Sequence, residues 1–265
     1  MQGYVWHAAA PRAVLLLQHG FREYAKRYVV QYNKLIPRLL EAGLSVYALD
    51  LRGHGNSAGR RGMTDIRQAV QDHLTARSKL AGQPLPVFVM GHSLGGLVTA
   101  SSVARDQEGL RGAILSSAAL NLGGSVLTRL AARILAHLAP GFGVPHPSGD
   151  PTALSRLPEA VGAVKHDPLM FHGKMPARLA ATAMEQDRAN WRLFARWTVP
   201  TLVLHGTADH ATDPQGSRRL FAAIASPDKT LHLVDGGYHE LLNDTDANKT
   251  LETILHWLRE RMPPG

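Results

Sequence analysis

The chain of 265 residues contains no cysteine. That absence excludes disulfide bonds, thiolate metal sites and a cysteine nucleophile, and it fits a reducing compartment. No apolar run reaches the ~20 residues that a membrane-spanning helix needs, since the best candidate is interrupted by Arg129, Arg133 and His137. The first residues also lack the basic start and apolar stretch of a secretory signal. We therefore expect a cytoplasmic location, with contact to membranes that is at most peripheral.

The chain also lacks the charge pattern of a nucleic-acid-binding protein. Its formal net charge is +8, but the lysines and arginines are scattered, and aromatic residues make up only 6% of the chain. A nucleic-acid interface would show a basic stripe interleaved with aromatic residues. We therefore predict no nucleic-acid partner, and weak attraction to anionic lipid surfaces or simple solubility accounts better for the charge.

Short apolar runs alternate with amphipathic segments, which predicts a parallel sheet with helices on both faces. The predicted strands are residues 13–18, 44–50, 86–90, 112–117, 200–205 and 230–235, and the predicted helices are 29–42, 65–80, 94–105, 215–225 and 246–261. Residues 120–195 interrupt this alternation between the fourth and fifth strands. We predict a core domain formed by 1–119 and 196–265, with a cap inserted at 120–195.

Ser93 lies between Gly91 and Gly95, where a predicted strand meets a predicted helix. This spacing is typical of a nucleophile elbow, which exposes a serine hydroxyl at the strand–helix junction. To attack at neutral pH, such a hydroxyl needs an adjacent base that is held by a third group. The alternative is a glycine-rich turn in which the serine is only structural. The position at the end of a strand favours the nucleophile.

The base and the acid should follow later strands in the order serine, acid, histidine. His239 follows the last predicted strand and Asp209 follows the fifth, so they are the predicted base and acid. Asp213 is the alternative acid, but its place directly before Pro214 fits a helix N-cap better. His210 lies before the last strand, and we interpret it as a loop residue.

The elbow also predicts an oxyanion hole made of two backbone N–H groups. Leu94 follows the nucleophile, and Phe21 lies in the loop after the first parallel strand. The N–H groups of these two residues are the predicted donors.

With these residues in place, the sequence resembles α/β-hydrolase-fold serine hydrolases of the monoacylglycerol lipase and lysophospholipase-like family. The likeness runs from about Tyr4 to Leu258, and its blocks are HGFREYAKRY, DLRGHGNS, GHSLGG, HDPL, HGTAD and GYHEL. The resemblance implies an α/β-hydrolase fold and hydrolysis of single-chain acyl esters, such as monoacylglycerols, through an acyl-enzyme. It also implies an apolar cap over the acyl site, a small-molecule or lipid ester as substrate, and neither cofactor nor metal.

The chain departs from the family pattern in two respects. Only one candidate strand, residues 4–8, precedes the first parallel strand, where the family has two antiparallel strands, so we expect a shorter sheet edge. Val164 and Leu242 stand where relatives carry polar residues around a glycerol headgroup, which weakens the case for glycerol selectivity. A broad carboxylesterase, a lysophospholipase or a thioesterase therefore stays open, as does a non-catalytic ligand receptor.

Two further pairs of residues are predicted to contact the substrate. Glu23 and Arg27 follow the HG block, and the alternative for them is a salt bridge that stabilises the oxyanion loop. Leu130 and Ile134 belong to an amphipathic segment and are predicted to line the acyl site or to meet lipid aggregates. The alternative for these two is packing onto the core. The acyl-chain length and the oligomeric state stay open.

Overall fold

The computed structural model describes residues 1–146 and 150–263. Its strands are β1 (Gly3–Trp6), β2 (Ala13–Gln18), β3 (Leu44–Leu49), β4 (Val87–His92), β5 (Leu110–Ser116), β6 (Gly143–Val144), β7 (Met175–Pro176), β8 (Thr201–Gly206) and β9 (Lys229–Val234). Seven of them form one sheet in the order β1-β3-β2-β4-β5-β8-β9. In this sheet β1 is antiparallel to β3, and the other neighbours pair in parallel.

The α-helices are α1 (Arg27–Val30), α2 (Leu35–Glu41), α3 (Ile66–Leu80), α4 (Leu94–Arg105), α5 (Val126–Leu138), α6 (Pro158–His166), α7 (Ala177–Asn190), α8 (Pro214–Ala223) and α9 (Ala247–Arg259). Across the two described ranges, no helix combines the length and the hydrophobicity needed to cross a bilayer.

The interior strand β2 shows why helices cover both faces of the sheet. All six of its residues are buried. Val14 and Leu16 belong to the apolar cluster that includes α3, α4 and α8, whereas Ala13, Leu15 and Leu17 belong to the cluster that includes α2 and α9. Because successive side chains of a strand point to opposite faces, a continuous apolar strand requires a cover on each side.

The predicted α/β-hydrolase fold, with a mostly parallel sheet, is confirmed. One antiparallel strand, β1, precedes the first parallel strand, so the sheet has the shorter edge that the sequence predicted. Between the fourth and fifth parallel strands, β5 and β8, the chain forms α5, β6, α6, β7 and α7. These elements are the cap of the following description, and its division from the core at 120–195 stays a prediction.

The prediction of one helix over 29–42 is wrong. The chain forms α1 and α2, separated by Tyr32–Lys34, whose φ angles are 54°, 53° and 52°. The Tyr32 hydroxyl donates to Glu23 Oε2 at 2.8 Å, and its backbone N–H donates to the side chain of Asn243. These buried bonds hold Tyr32 in a left-handed conformation that a continuous α-helix excludes.

Gly95 lies where α4 packs closely against the end of β2. A Cβ atom at Gly95 would collide with the carbonyl oxygens of Gln18 and His19. We expect Gly95→Ala to lower the free energy of unfolding by about 1–3 kcal/mol, because backbone atoms cannot yield as a side chain would. Urea denaturation measures the change. Gly82→Ala is the matched control, since a Cβ there has no neighbour within 4 Å, and equal losses in both variants would contradict the prediction.

Candidate active site

The site lies where the sheet order changes direction. β2 has β3 on one side and β4 on the other, and in such open sheets ligands bind beyond the carboxyl ends of the strands at this switch point. Gln18 at the end of β2 is paired with Gly91 of β4. The loop of residues 19–23 and Ser93 therefore leave the sheet side by side.

Ser93 occupies a strained turn between β4 and α4. Its backbone lies at φ 54° and ψ −121°, which is rare for a residue with a side chain. Its N–H donates to the Ser116 carbonyl at 3.0 Å, and its own carbonyl accepts from the N–H groups of Leu97 and Ala119. This conformation matches the backbone that a nucleophile elbow requires. The first N–H groups of α4, beginning with Leu94, start at the same point, and the first N–H groups of a helix have no partner within the helix.

Asp209 and His239 form a buried pair. His239 Nδ1 lies 2.8 Å from Asp209 Oδ2, and their side chains are 4% and 0% exposed. The carboxylate is fixed from its other side, because Oδ1 accepts from the N–H groups of Ala211 and Thr212 at 2.7 and 3.0 Å. The Thr212 hydroxyl also donates to Oδ2 at 2.8 Å. With Nδ1 engaged, Nε2 is the nitrogen of His239 that can act as a base.

This pairing decides the protonation of both groups. Burial alone would lower the pKa of His239, but the charge and hydrogen bond of Asp209, together with the charges of Glu240 and Glu23, outweigh burial, so the pKa is raised above its ordinary value. Burial would raise the pKa of Asp209, but His239 and His205 together hold it well below its ordinary value. Asp209 is therefore a permanent carboxylate beside an imidazole of increased basicity.

The structure separates the predicted acid from its alternative. Asp213 is the N-cap of α8, where its carboxylate accepts from the Gln215 N–H at 2.9 Å, as the alternative interpretation predicted. His210 is exposed and contacts the edge of the Tyr238 ring. Of the two aspartates, Asp209 is the one in contact with His239.

A small cavity of about 40 Å³ lies beside Ser93. Its described lining residues come from the core and from the cap: Phe21, Arg22, Glu23, His92, Ser93, Leu94, Ala119, His146, Leu154, Val164, Met170, Met175, Thr212, His239 and Glu240. The structure thus brings five of the predicted site residues to one cavity, and Asp209 lies behind His239.

The three histidines of this cavity differ in pKa. Burial lowers the pKa of His92 to about 4, and the pKa of His146 is lowered to about 4 for the same reason. The pKa of His239 is instead raised, through Asp209. His92 lies close to His239, with ring centroids 4.9 Å apart, so the pKa values of these two neighbouring imidazoles differ because His239 is bonded to the Asp209 carboxylate.

Three predicted residues lie away from the cavity lining. Leu130 and Ile134 are 52% and 51% exposed and line a separate groove between α5 and α7. Arg27 is 2% exposed, and its guanidinium is bonded to Glu240 and Glu23. This favours the salt-bridge alternative for Arg27, whereas Glu23 both accepts from Arg27 and lines the cavity.

Among the residues of the site that sequence reasoning missed are His205 and Glu240. His205, at the end of β8, has its Nε2 3.0 Å from Asp209 Oδ2, and Glu240 directly follows His239 and is buried. An acidic residue in the apolar context of YHELL was the available signal for Glu240. As for metals, no group of three or more His, Asp or Glu side chains in the described part of the chain could hold an ion.

Comparisons with known proteins identify the family of the chain. The family described as serine aminopeptidase, S33, matches residues 9–246. A monoacylglycerol lipase of Mycolicibacterium smegmatis is 37% identical over 253 residues, which cover 94% of this chain and 88% of that protein. A monoglyceride lipase of Rattus norvegicus is 30% identical, covering 96% of this chain and 85% of that protein.

Among solved structures, a monoacylglycerol lipase from Paleococcus ferrophilus superposes with a TM-score of 0.87 at 32% identity, covering 98% of this chain and all of that one. The chain belongs to the S33 family of α/β hydrolases. Within that family it is of the monoacylglycerol lipase type, so the resemblance seen in the sequence motifs and the predicted class, carboxylic ester hydrolase, are confirmed.

The contact between Asp209 and His239 can be tested without a substrate. Asp209→Asn removes the negative charge that raises the pKa of His239, so that pKa should fall. An NMR titration of the His239 imidazole measures the change. Asp213→Asn is the matched control and should leave the titration where it is. An unchanged pKa of His239 in Asp209→Asn would contradict the assignment.

Proposed function

We propose that the protein is a serine esterase that hydrolyses single-chain acyl esters, such as monoacylglycerols, through a triad of Ser93, His239 and Asp209. The observation that carries the proposal is the buried His239–Asp209 pair, 2.8 Å apart, in the wall of the cavity that also contains the strained Ser93. The relatives named monoacylglycerol lipase and monoglyceride lipase support the choice of substrate.

The proposed reaction passes through an acyl-enzyme. Ser93 Oγ attacks the ester carbonyl while His239 Nε2 takes the hydroxyl proton, and Asp209 stabilises the resulting imidazolium. His239 then gives that proton to the departing alcohol. A water molecule, deprotonated by His239, then attacks the acyl-enzyme carbonyl, and His239 returns the proton to Ser93 Oγ as the bond to the acyl group breaks and the fatty acid leaves.

The developing oxyanion would be held by the backbone N–H groups of Phe21 and Leu94. The Phe21 N–H donates no hydrogen bond to any residue that the structure describes, and Leu94 begins α4. Glu23 fixes the preceding peptide, since its Oε1 accepts from the Gly20 N–H at 2.7 Å. Each such donor contributes about 3 kcal/mol to transition-state stabilisation where it has been measured.

The apolar lining of the cavity suits an acyl chain, although the cavity is too small to hold one as it stands. Its cap side is mainly apolar, formed by Leu154, Val164, Met170 and Met175, with His146 as a polar member. A volume of about 40 Å³ is far below the ~300–1,000 Å³ of ordinary ligand pockets, so cap side chains must move to admit an acyl chain. Val164 in this lining is apolar at a position where relatives carry a polar residue near the headgroup, which favours a broad carboxylesterase as the second candidate.

Peripheral contact with lipid aggregates is part of the proposal. Helix α5 has no buried residue, and its exposed apolar side chains include Val126, Leu127, Leu130, Ile134 and Leu138. A helix that presents such a face on a protein of positive net charge is suited to an interface with anionic lipid.

Replacement of the nucleophile tests the catalytic proposal. We expect Ser93→Ala to abolish hydrolysis of p-nitrophenyl butyrate and of a monoacylglycerol, because no other group forms the acyl-enzyme. Ser78→Ala, on the exposed side of α3, is the control and should retain full activity. Near-normal turnover by a folded Ser93→Ala enzyme would refute the proposal.

Polar substitution of the α5 face tests the lipid contact. The double variant Leu130→Ser and Ile134→Ser should lose activity on aggregated long-chain esters while it retains activity on dissolved short-chain esters, since neither residue lines the catalytic cavity. Val30→Ser, which changes an exposed apolar residue of α1, is the control. Equal losses on both substrates in the double variant would contradict a role in lipid contact.

A further inference from the structure

A cluster of buried charged and phenolic side chains lies behind the two loops that carry the proposed site. We call it the charge cluster; its members are Glu23, Arg27, Tyr28, Tyr32 and Glu240, each at most 3% exposed. Two carboxylates and one guanidinium are thus removed from water next to the cavity. Such a group is expensive to bury, so its hydrogen bonds must be complete.

Arg27 forms the centre of the charge cluster. Its Nη1 and Nη2 donate to the two carboxylate oxygens of Glu240 at 2.7 and 3.1 Å, a bidentate arrangement. Nη1 also donates to Glu23 Oε2 at 3.2 Å and to the Tyr32 hydroxyl at 3.1 Å. One guanidinium therefore bridges two carboxylates that are 217 positions apart, from Glu23 to Glu240.

Each carboxylate is attached to a loop of the proposed site. Glu23 accepts from the N–H of Gly20, the residue directly before the oxyanion donor Phe21. Glu240 directly follows His239, and Asn243 donates to its second oxygen at 2.6 Å. The contacts from Gly20 through Arg27 to Glu240 therefore join the oxyanion loop to the loop of the histidine.

The charges of the cluster agree with this arrangement. Burial would raise the pKa of Glu240, but Arg27 holds it well below its ordinary value, and the paired carboxylates raise the pKa of Arg27 although burial alone would lower it. Both ions therefore persist at neutral pH. An apolar contact of the same volume would serve stability as well or better, so a buried ion pair points to a requirement for registration between the two loops.

We propose that Arg27 and Glu240 are positioning residues that hold the histidine loop and the oxyanion loop in register. This inference rests on the proposed function of the site. In this proposal Arg27 does not contact the substrate, because its guanidinium is already bonded to Glu240, Glu23 and Tyr32. A small displacement of the base relative to the oxyanion donors lowers the rate of hydrolysis steeply, so the relative position of the two loops matters for catalysis.

The cluster also acts on His239 through its charge. The groups that face His239 are the carboxylates of Asp209, Glu240 and Glu23, which raise its pKa, and the imidazoles of His92 and His146. His205 acts indirectly, through Asp209. Removal of the Glu240 charge should therefore lower the pKa of His239, so that the base stays neutral, and active, to lower pH.

Two substitutions within the cluster and one control test the proposal. Arg27→Lys keeps the charge but removes the planar fork, and Glu240→Gln keeps the shape but removes the charge. Arg77→Lys is the matched control: Arg77 is 4% exposed and donates to Ser102 at 2.7 and 3.0 Å, but it does not line the cavity. The measurements are kcat and KM on p-nitrophenyl butyrate, the pH profile of kcat/KM and thermal unfolding.

We expect Arg27→Lys to lower kcat about tenfold with little change in KM, because only the alignment of catalytic groups is lost. Arg77→Lys should lower the melting temperature without lowering kcat. Glu240→Gln should move the acid limb of the kcat/KM profile to lower pH. The proposal is overturned if Arg27→Lys behaves as Arg77→Lys does and Glu240→Gln leaves the acid limb in place.

A measurement without substrate separates failure of this inference from failure of the proposed function. Amide hydrogen exchange at Gly20, whose N–H is bonded to Glu23, should be about tenfold faster in Glu240→Gln than in the wild type, and unchanged in Arg77→Lys. If the wild type hydrolyses no ester but this exchange increases, the proposed function fails and the coupling between the loops stands. If exchange is unchanged in Glu240→Gln, the coupling fails whatever the activity.

Discussion

The site depends on one backbone constraint, the conformation of Ser93. A residue with a side chain adopts φ 54° and ψ −121° only where its surroundings enforce it. Here the carbonyl of Ser93 is held by two N–H groups, and Gly95 lets α4 start against the backbone of β2, where a Cβ would collide with Gln18 and His19. The strain is thus maintained by hydrogen bonds and close packing within the buried core, and the hydroxyl is presented where the parallel strands end.

Everything else at the site is arranged around that hydroxyl by the order of the strands. β2 and β4 are neighbours, so the oxyanion loop lies beside the elbow, while Asp209 and His239 follow β8 and β9 on the other side of β5. The strand order places these distant segments side by side, and hydrogen bonds between charged groups then join them. Asp209 raises the pKa of His239, the proposed base, and Arg27 links the loop of His239 to the proposed oxyanion loop through Glu240 and Glu23.

Much of this was predictable from the sequence because local patterns specify it. Short segments contain the apolar strands and the glycine spacing around Ser93, so these features can be predicted locally. The order of Asp209 and His239 after the later strands follows from the known chain order of this fold. The break after α1 was not predictable, because Tyr32 leaves the helix to bond with Glu23 and Asn243, and Asn243 is remote in sequence. For the same reason spacing does not reveal the pairing of Glu240 with Arg27. Tertiary hydrogen bonds between distant residues override the local helical preference.

Active-site labelling with a fluorophosphonate, mapped by peptide mass spectrometry, tests the central claim most directly. The reagent reacts with a serine only when its hydroxyl is activated by a neighbouring base, so it reports the assembled triad rather than the presence of a serine. The account predicts one adduct, on Ser93, that disappears in His239→Ala. An unlabelled protein, or an adduct on another residue with Ser93 unmodified, would contradict it.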